Sequence, residues 1–352
     1  MFVGRSSGFR CGCLQSTRPP FWFPAPERRS NADLSATSAS TEMRAVIASL
    51  AASSVQRQWL LRAMPGVFVF IWSTGFVVAR FAMPHSPPFS FLVLRYALSL
   101  TCFGVWIVWA RVEWPRTKEQ WLHLAVVGLL LHAGYLGAVW AAVRAGIGAG
   151  TVALVVGLQP VLTALWISGV ASRRVGLRSS SAVSARQWLG LVMGLGGLTL
   201  VVQHKIGAGE INALNLGLAL TALLSITIGT LYQKRFVAAC DVRSASAIQL
   251  VAALVVSLPL AALETEALTW HPHLIGALVW SVLALTLGGS SLLYLMIQRG
   301  AATRVSSLMY LVPASTAVLA WIMFDEALTA SMLAGMAMTV GGVALIVRAA
   351  DR

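Results

Sequence analysis

The chain has 352 residues, of which 57% are hydrophobic and only 11% charged. Soluble domains carry about a quarter charged residues, so this composition excludes an ordinary soluble protein. A net charge of +14 would suit a nucleic-acid binder, but the basic residues lie between apolar runs, which excludes nucleic acid as a partner.

Residues 1–64 form an N-terminal extension rich in Ser, Arg, Pro and Ala, without an apolar core of signal-peptide length, and are expected to be mostly disordered. Met43 is the expected initiator, and residues 43–62 can form a short amphipathic helix on the membrane surface. Cys11 and Cys13 lack partner ligands, since a structural zinc takes four, and Cys102 and Cys240 are too scattered for a disulfide framework. No metal and no cofactor is expected.

From Met64 onward the chain breaks into apolar runs of about 17 to 25 residues, the length that crosses roughly 30 Å of hydrocarbon as a helix. The predicted spans are 65–83, 89–110, 121–143, 150–171, 187–203, 213–233, 244–262, 274–297, 304–324 and 331–347. They must be helices, because lipid leaves no backbone group unpaired and barrel strands would alternate in shorter segments. Sixteen of the 26 Lys and Arg flank the spans on one side, against Arg80, Arg144 and Lys205 on the other. Basic loops stay cytoplasmic, so both termini are predicted inside a multi-pass inner-membrane protein.

Polar residues inside spans carry the functional reading, because each costs free energy in lipid unless it is paired. Arg95 in the second span must face the bundle or the interface and can anchor an anionic group. His132 in the third shares a helix face with Gly128 and Tyr135, and serves either as a proton acceptor or hydrogen-bond donor, or as a satisfied structural imidazole. Further stripes follow helical spacing: Gln159, Thr163 and Trp166; Thr221, Ser225, Gly229 and Tyr232; Thr286, Ser290 and Tyr294; Ser306, Tyr310 and Pro313. Tight helix packing uses the same small and hydroxyl residues. Pro160 and Pro313 are candidate hinges, since each removes a donor and frees a carbonyl. All twelve acidic residues lie outside span centres, with Asp325 and Glu326 at a span edge. Any pH dependence is therefore expected to run through His132 or that edge pair.

The two halves repeat. GLVMGLGGLTLVV in the fifth span recurs as GMAMTVGGVALIV in the tenth, placing Gly190, Gly196 and Gly197 opposite Gly335, Gly341 and Gly342. Pro160 falls opposite Pro313, Gly134 opposite Gly289, Gly75 opposite Gly229 and Arg95 opposite Gln249. Five spans per half is an odd number, so the second half enters from the opposite face. The expected fold is an all-α polytopic membrane protein of ten transmembrane helices in two inverted five-helix repeats, 65–206 and 211–348, an architecture of transporters.

At the residue level the chain resembles the drug/metabolite transporter superfamily in its EamA-type branch. The resemblance rests on IWSTGFVVARFAM at 71–83, SPPFSFLVLRYAL at 86–98 and most of all the stretch 299–347, with its Leu-Val-Pro, acidic pair and Gly-rich last helix. It implies a central cavity lined by the first, third, fourth, sixth, eighth and ninth helices. One departure is Arg173, where the family often carries a Glu matching Glu326.

The expected function is transport of a small metabolite, an amino-acid-like zwitterion or weak acid moved outward, bound by Arg95, His132, Tyr135, Gln159, Thr163, Ser225, Tyr232, Ser290, Tyr294 and Tyr310. An enzyme is not expected, because H-E-x-x-H, G-x-S-x-G and paired intramembrane Asp are all missing. A non-transporting sensor or assembly protein is the alternative, distinguished by a central cavity plugged with large apolar side chains. The expected partners are the substrate and the bilayer, with self-association into a homodimer left open.

Overall fold

A computed structural model describes residues 63–163, 166, 185–207, 209–289, 291–292 and 311–350. Residues 1–62, including Cys11 and Cys13, lie outside the described residues, as do Arg173, Ser290, Tyr294, Ser306 and Tyr310. Every regular element among the described residues is helical. Six helices are long and apolar enough to cross a membrane: α1 (Ala63–Ala82), α2 (Pro88–Ala110), α3 (Lys118–Arg144), α5 (Ala185–Gly207), α6 (Ala213–Phe236) and α7 (Val242–Ala262). Among the described residues the shorter apolar helices are α4 (Ala149–Thr163), α8 (Pro272–Gly288), α9 (Leu311–Phe324) and α10 (Ala330–Ala350), the last apolar over Ala330–Leu345. These bounds follow the predicted spans within a few residues wherever the whole span is described.

Local chemistry fixes the helix ends. Thr117 accepts from Gln120 N at 3.3 Å, and Asn212 and Asn215 cap each other reciprocally at 2.9 Å. Asp241 accepts from Arg243 N at 2.8 Å, and further bonds from the Arg243 guanidinium hold its carboxyl below the usual carboxylate range. Helix α2 begins at Pro88 with no side-chain cap of its own. Its free amides are met from across the fold, Phe89 N and Ser90 N donating to Glu264 at 2.9 and 2.8 Å. Arg111 closes the other end in the left-handed region.

Helices α3 and α8 each widen into a π-helical stretch, Leu129–Leu136 and Ser281–Gly288. A widened turn tilts carbonyls out of the i→i−4 ladder, and in hydrocarbon they need other donors. Ser225 Oγ donates to Leu130 O at 2.9 Å, Tyr96 Oη to His132 O at 2.8 Å and Thr286 Oγ1 to Ser281 O at 2.8 Å. Helix α4 breaks into a turn at Gly157–Leu158, just before Pro160, whose missing N–H cannot continue the ladder. Pro313 packs over the same turn, since a Cβ on Gly157 would stand 2.6 Å from Pro313 Cγ.

Helix α2 packs on α7 and α8, α3 on α6 and α7, α4 on α6 and α9, and α5 on α10. Apolar side chains such as Val108, Trp109, Leu220 and Val255 point outward, as suits lipid rather than water. Helices α5 and α10 approach backbone to backbone. Added Cβ atoms on Gly197 and Gly342 would lie 2.4 Å from Gly335 O and Gly190 O respectively. Gly190 therefore faces Gly342 and Gly197 faces Gly335, so the two helices run antiparallel.

Candidate functional site

Four helices bring their polar side chains together around Arg95. It stands on α2 at 7% exposure, and its Nη2 and Nε donate to Thr286 Oγ1 on α8 at 3.2 and 3.4 Å. Tyr96 and Tyr135 lie close enough for their phenols to feel its charge. Among the described residues no carboxylate pairs with it. His132 on α3 stands beside Gln249 on α7, and its ring meets Tyr96 edge-on at 6.1 Å. Gly128 permits this, because a Cβ there would lie 2.3 Å from Gln249 O, so α3 and α7 touch backbone to backbone.

Near this cluster two hydroxyls are buried without a hydrogen-bond partner, Ser99, one helical turn past Arg95, and Ser281 in the widened turn of α8, and Thr163 on α4 is likewise unpartnered. A buried unsatisfied hydroxyl costs about 1–3 kcal/mol, and a ligand or ordered water would recover that loss.

The other predicted site residues are placed differently. Gln159 donates to Thr230 Oγ1 at 3.1 Å between α4 and α6. Ser225 is engaged by the α3 carbonyl, and its Oγ would lie 2.3 Å from a Cβ on Gly134, so it sits at a packing contact. Tyr232 lies in the last turns of α6, where its hydroxyl meets His123 Nδ1 at 2.8 Å and its ring packs on Phe236. Sequence reasoning missed Tyr96, and it noted Gln249 only as the register partner of Arg95. The available signal was a phenol beside an intramembrane guanidinium.

At the end of the bundle where α1, α3, α7 and α9 terminate, charged groups join separate connections. Glu326 is 8% exposed, pairs with Arg80 of α1 and accepts from Ala149 N, the first residue of α4, at 3.2 Å. Asp325 just before it is left-handed (φ 54°), which turns the chain back over the bundle. Gly148 leaves room for the carboxylate, a Cβ there falling 2.8 Å from Glu326 Oε2. Arg80 also lies over the Phe324 ring at 5.0 Å, and Arg144 bridges Met83 O to Glu266.

Comparison with known proteins decides the family. The description of the EamA-like transporter family matches residues 66–203 and again 214–348. The chain belongs to the EamA-like transporter family. It is thus a multi-pass membrane transporter, in keeping with the six membrane-length helices among its described residues. It is 26% identical to the uncharacterized transporter YvbV of Bacillus subtilis (strain 168), over 79% of this chain and 88% of that one. It is 24% identical to a protein of Salmonella typhimurium named a probable amino-acid metabolite efflux pump, over 78% and 90%. The uncharacterized inner membrane transporter YedA of Escherichia coli K12 is 26% identical over 61% and 66%. A solved crystal structure, 18% identical, superposes with a TM-score of 0.57 over 82% of this chain and 98% of that one, which gives a shared fold.

Proposed function

We propose that this EamA-like transporter moves a small zwitterionic or weakly acidic metabolite across the inner membrane, outward, by alternating access between two inverted five-helix repeats, 65–206 and 211–348, with both termini cytoplasmic. The single observation that carries the substrate class is Arg95: a buried guanidinium surrounded by hydroxyl and phenol groups and lacking a carboxylate is a ready partner for a substrate carboxylate. The names of the Salmonella and Escherichia coli relatives support an amino-acid-like cargo, the outward direction and the inner membrane.

Support for the inverted arrangement comes from contacts that exchange under the repeat register. A Cβ on Gly197 meets Gly335 O and Thr339 N, and one on Gly342 meets Gly190 O and Gly194 N. Gly196 faces Met338 Cε while Gly341 faces Met193 Cε. Each contact maps onto its partner when the halves are swapped. For antiparallel helices that exchange requires a two-fold axis across the helices, as inverted repeats have. The same swap turns the α3–α7 contact into the α2–α8 contact, pairing His132–Gln249 with Arg95–Thr286 to within one residue of register.

Topology is testable directly. Single cysteines near residues 115, 178 and 240 should react only with a permeant maleimide, and those near 86, 207 and 268 also with an impermeant one applied outside. A single loop on the wrong side sinks the inverted reading.

The joined end of the bundle supports an outward-closed conformation. Glu326→Gln weakens the tie to Arg80, so an impermeant maleimide should modify a cysteine at position 81 faster, by about 5- to 30-fold for a 1–2 kcal/mol shift in the opening equilibrium. Unchanged labelling would mean that this ion pair does not hold the closed state.

A further inference from the structure

Away from the central cluster, three imidazoles meet where the α1–α2 connection approaches the start of α8. His85, His271 and His273 each offer a ring nitrogen within 4.8 Å of the others. The His85 and His271 rings stack at 4.1 Å, and His271 and His273 lie edge to face at 4.7 Å. The two connections are tied together below the rings, Thr269 N and Oγ1 donating to His85 O at 2.9 and 3.1 Å. Proline fixes the backbone beside each ring: Pro84 precedes His85, and Pro272 separates the other two.

Bringing three imidazoles so close serves no ion pair. The nearest acidic residues of the adjoining connection are already engaged, Glu264 by the α2 amides and Glu266 by Arg144. Neutral imidazole nitrogens without a carboxylate among them form the donor set of a borderline divalent ion, which takes Zn–N bonds of about 2.0–2.1 Å. Tetrahedral bonds of that length place the nitrogens about 3.4 Å apart. Side-chain rotation alone can close the remaining gap, because His273 is exposed and the other two are half-buried. His271 Nδ1 currently accepts from His273 N at 3.2 Å; coordination through Nε2 moves the ring proton to Nδ1 and releases that cap.

We propose that His85, His271 and His273 form a binding site for one zinc-like divalent cation, with a fourth position open to water. An apolar cavity of about 250 Å³ lined by Val78, Phe81, Gly276 and His273 adjoins the site.

The test uses the full-length, tag-free protein in detergent, stripped with chelator and titrated with zinc chloride against a chromogenic competitor. One zinc per chain is expected in the wild type. His85→Ala and His273→Ala should each weaken binding by at least about tenfold, the lower end of what even an outer-shell loss costs, while His204→Ala on α5 changes nothing. Zinc should also raise the thermal unfolding midpoint of the wild type but not of His273→Ala, whose midpoint without zinc should equal that of the wild type. Zinc binding that survives both His85→Ala and His273→Ala, or no stoichiometric binding at all, overturns the assignment.

Discussion

Uptake of anionic and zwitterionic substrates by Arg95→Leu should fall by about 10- to 150-fold, the equivalent of losing one charge-assisted hydrogen bond of about 1.5–3 kcal/mol. The loss should hold at every pH, because a guanidinium stays charged throughout. The fold should survive, since Thr286 keeps its own bond to Ser281 O when the guanidinium is removed. His132→Gln makes the informative comparison: an amide can keep the contact with Gln249, so transport persists while any response to pH flattens. Both are read as initial uptake rates in proteoliposomes at a set membrane potential, with a panel of metabolites against pH. Equal uptake by Arg95→Leu and wild type would remove Arg95 from the substrate site. An unchanged pH profile in His132→Gln would shift attention to Asp325 and Glu326.

Gly197→Ala and Gly342→Ala should destabilise the protein strongly, whereas Gly196→Ala and Gly341→Ala should be mild. A Cβ at 197 or 342 runs into backbone, within 2.4 Å of a carbonyl oxygen and 2.8–2.9 Å of a backbone nitrogen, so the helices must separate. Beside them, at 196 and 341, it meets only the flexible end of Met338 or Met193 at 3.3 and 3.5 Å. Overpacking costs about 1–3 kcal/mol, which at about 2–4 °C per kcal/mol lowers the thermal unfolding midpoint by roughly 2–12 °C. Gly217→Ala, with nothing within 4 Å, should match or exceed the wild type, because Ala is the better helix former. Fluorescence-detected unfolding of the five variants in detergent gives the ranking; equal midpoints for Gly196→Ala and Gly197→Ala would contradict the packing described for α5 and α10.

The glycine pairs show where sequence reading stops. The recurrence of GLGG as TVGG was enough to find the repeat, because a glycine pattern at fixed spacing has few other uses in lipid. Which glycine of each pair is indispensable depends on the rotation of one helix against the other, and no local signal records that. The span boundaries were legible because they rest on hydrophobic length and on basic residues that cannot enter the hydrocarbon, both local quantities. Arg95 was legible too, as a charge that lipid does not tolerate.

Its surroundings were not legible. Thr286 comes 191 residues later in the chain, and Tyr96 and Gln249 read as ordinary span residues until helices α2, α3, α7 and α8 converge. Ser225 and Tyr232 fit the same stripe pattern as the other candidate residues. Tertiary contacts give the first to a carbonyl released by the widened turn of α3 and the second to His123 at the helix end. Glu326 looked like an edge carboxylate, and only the fold turns it back onto Arg80 and the start of α4. The sequence by itself determined a helical, multi-pass, duplicated membrane protein, because burial in lipid is decided segment by segment. The tertiary structure decided which polar groups meet, because hydrogen bonds act over about 3 Å and depend on helix rotation and register that distant segments set together.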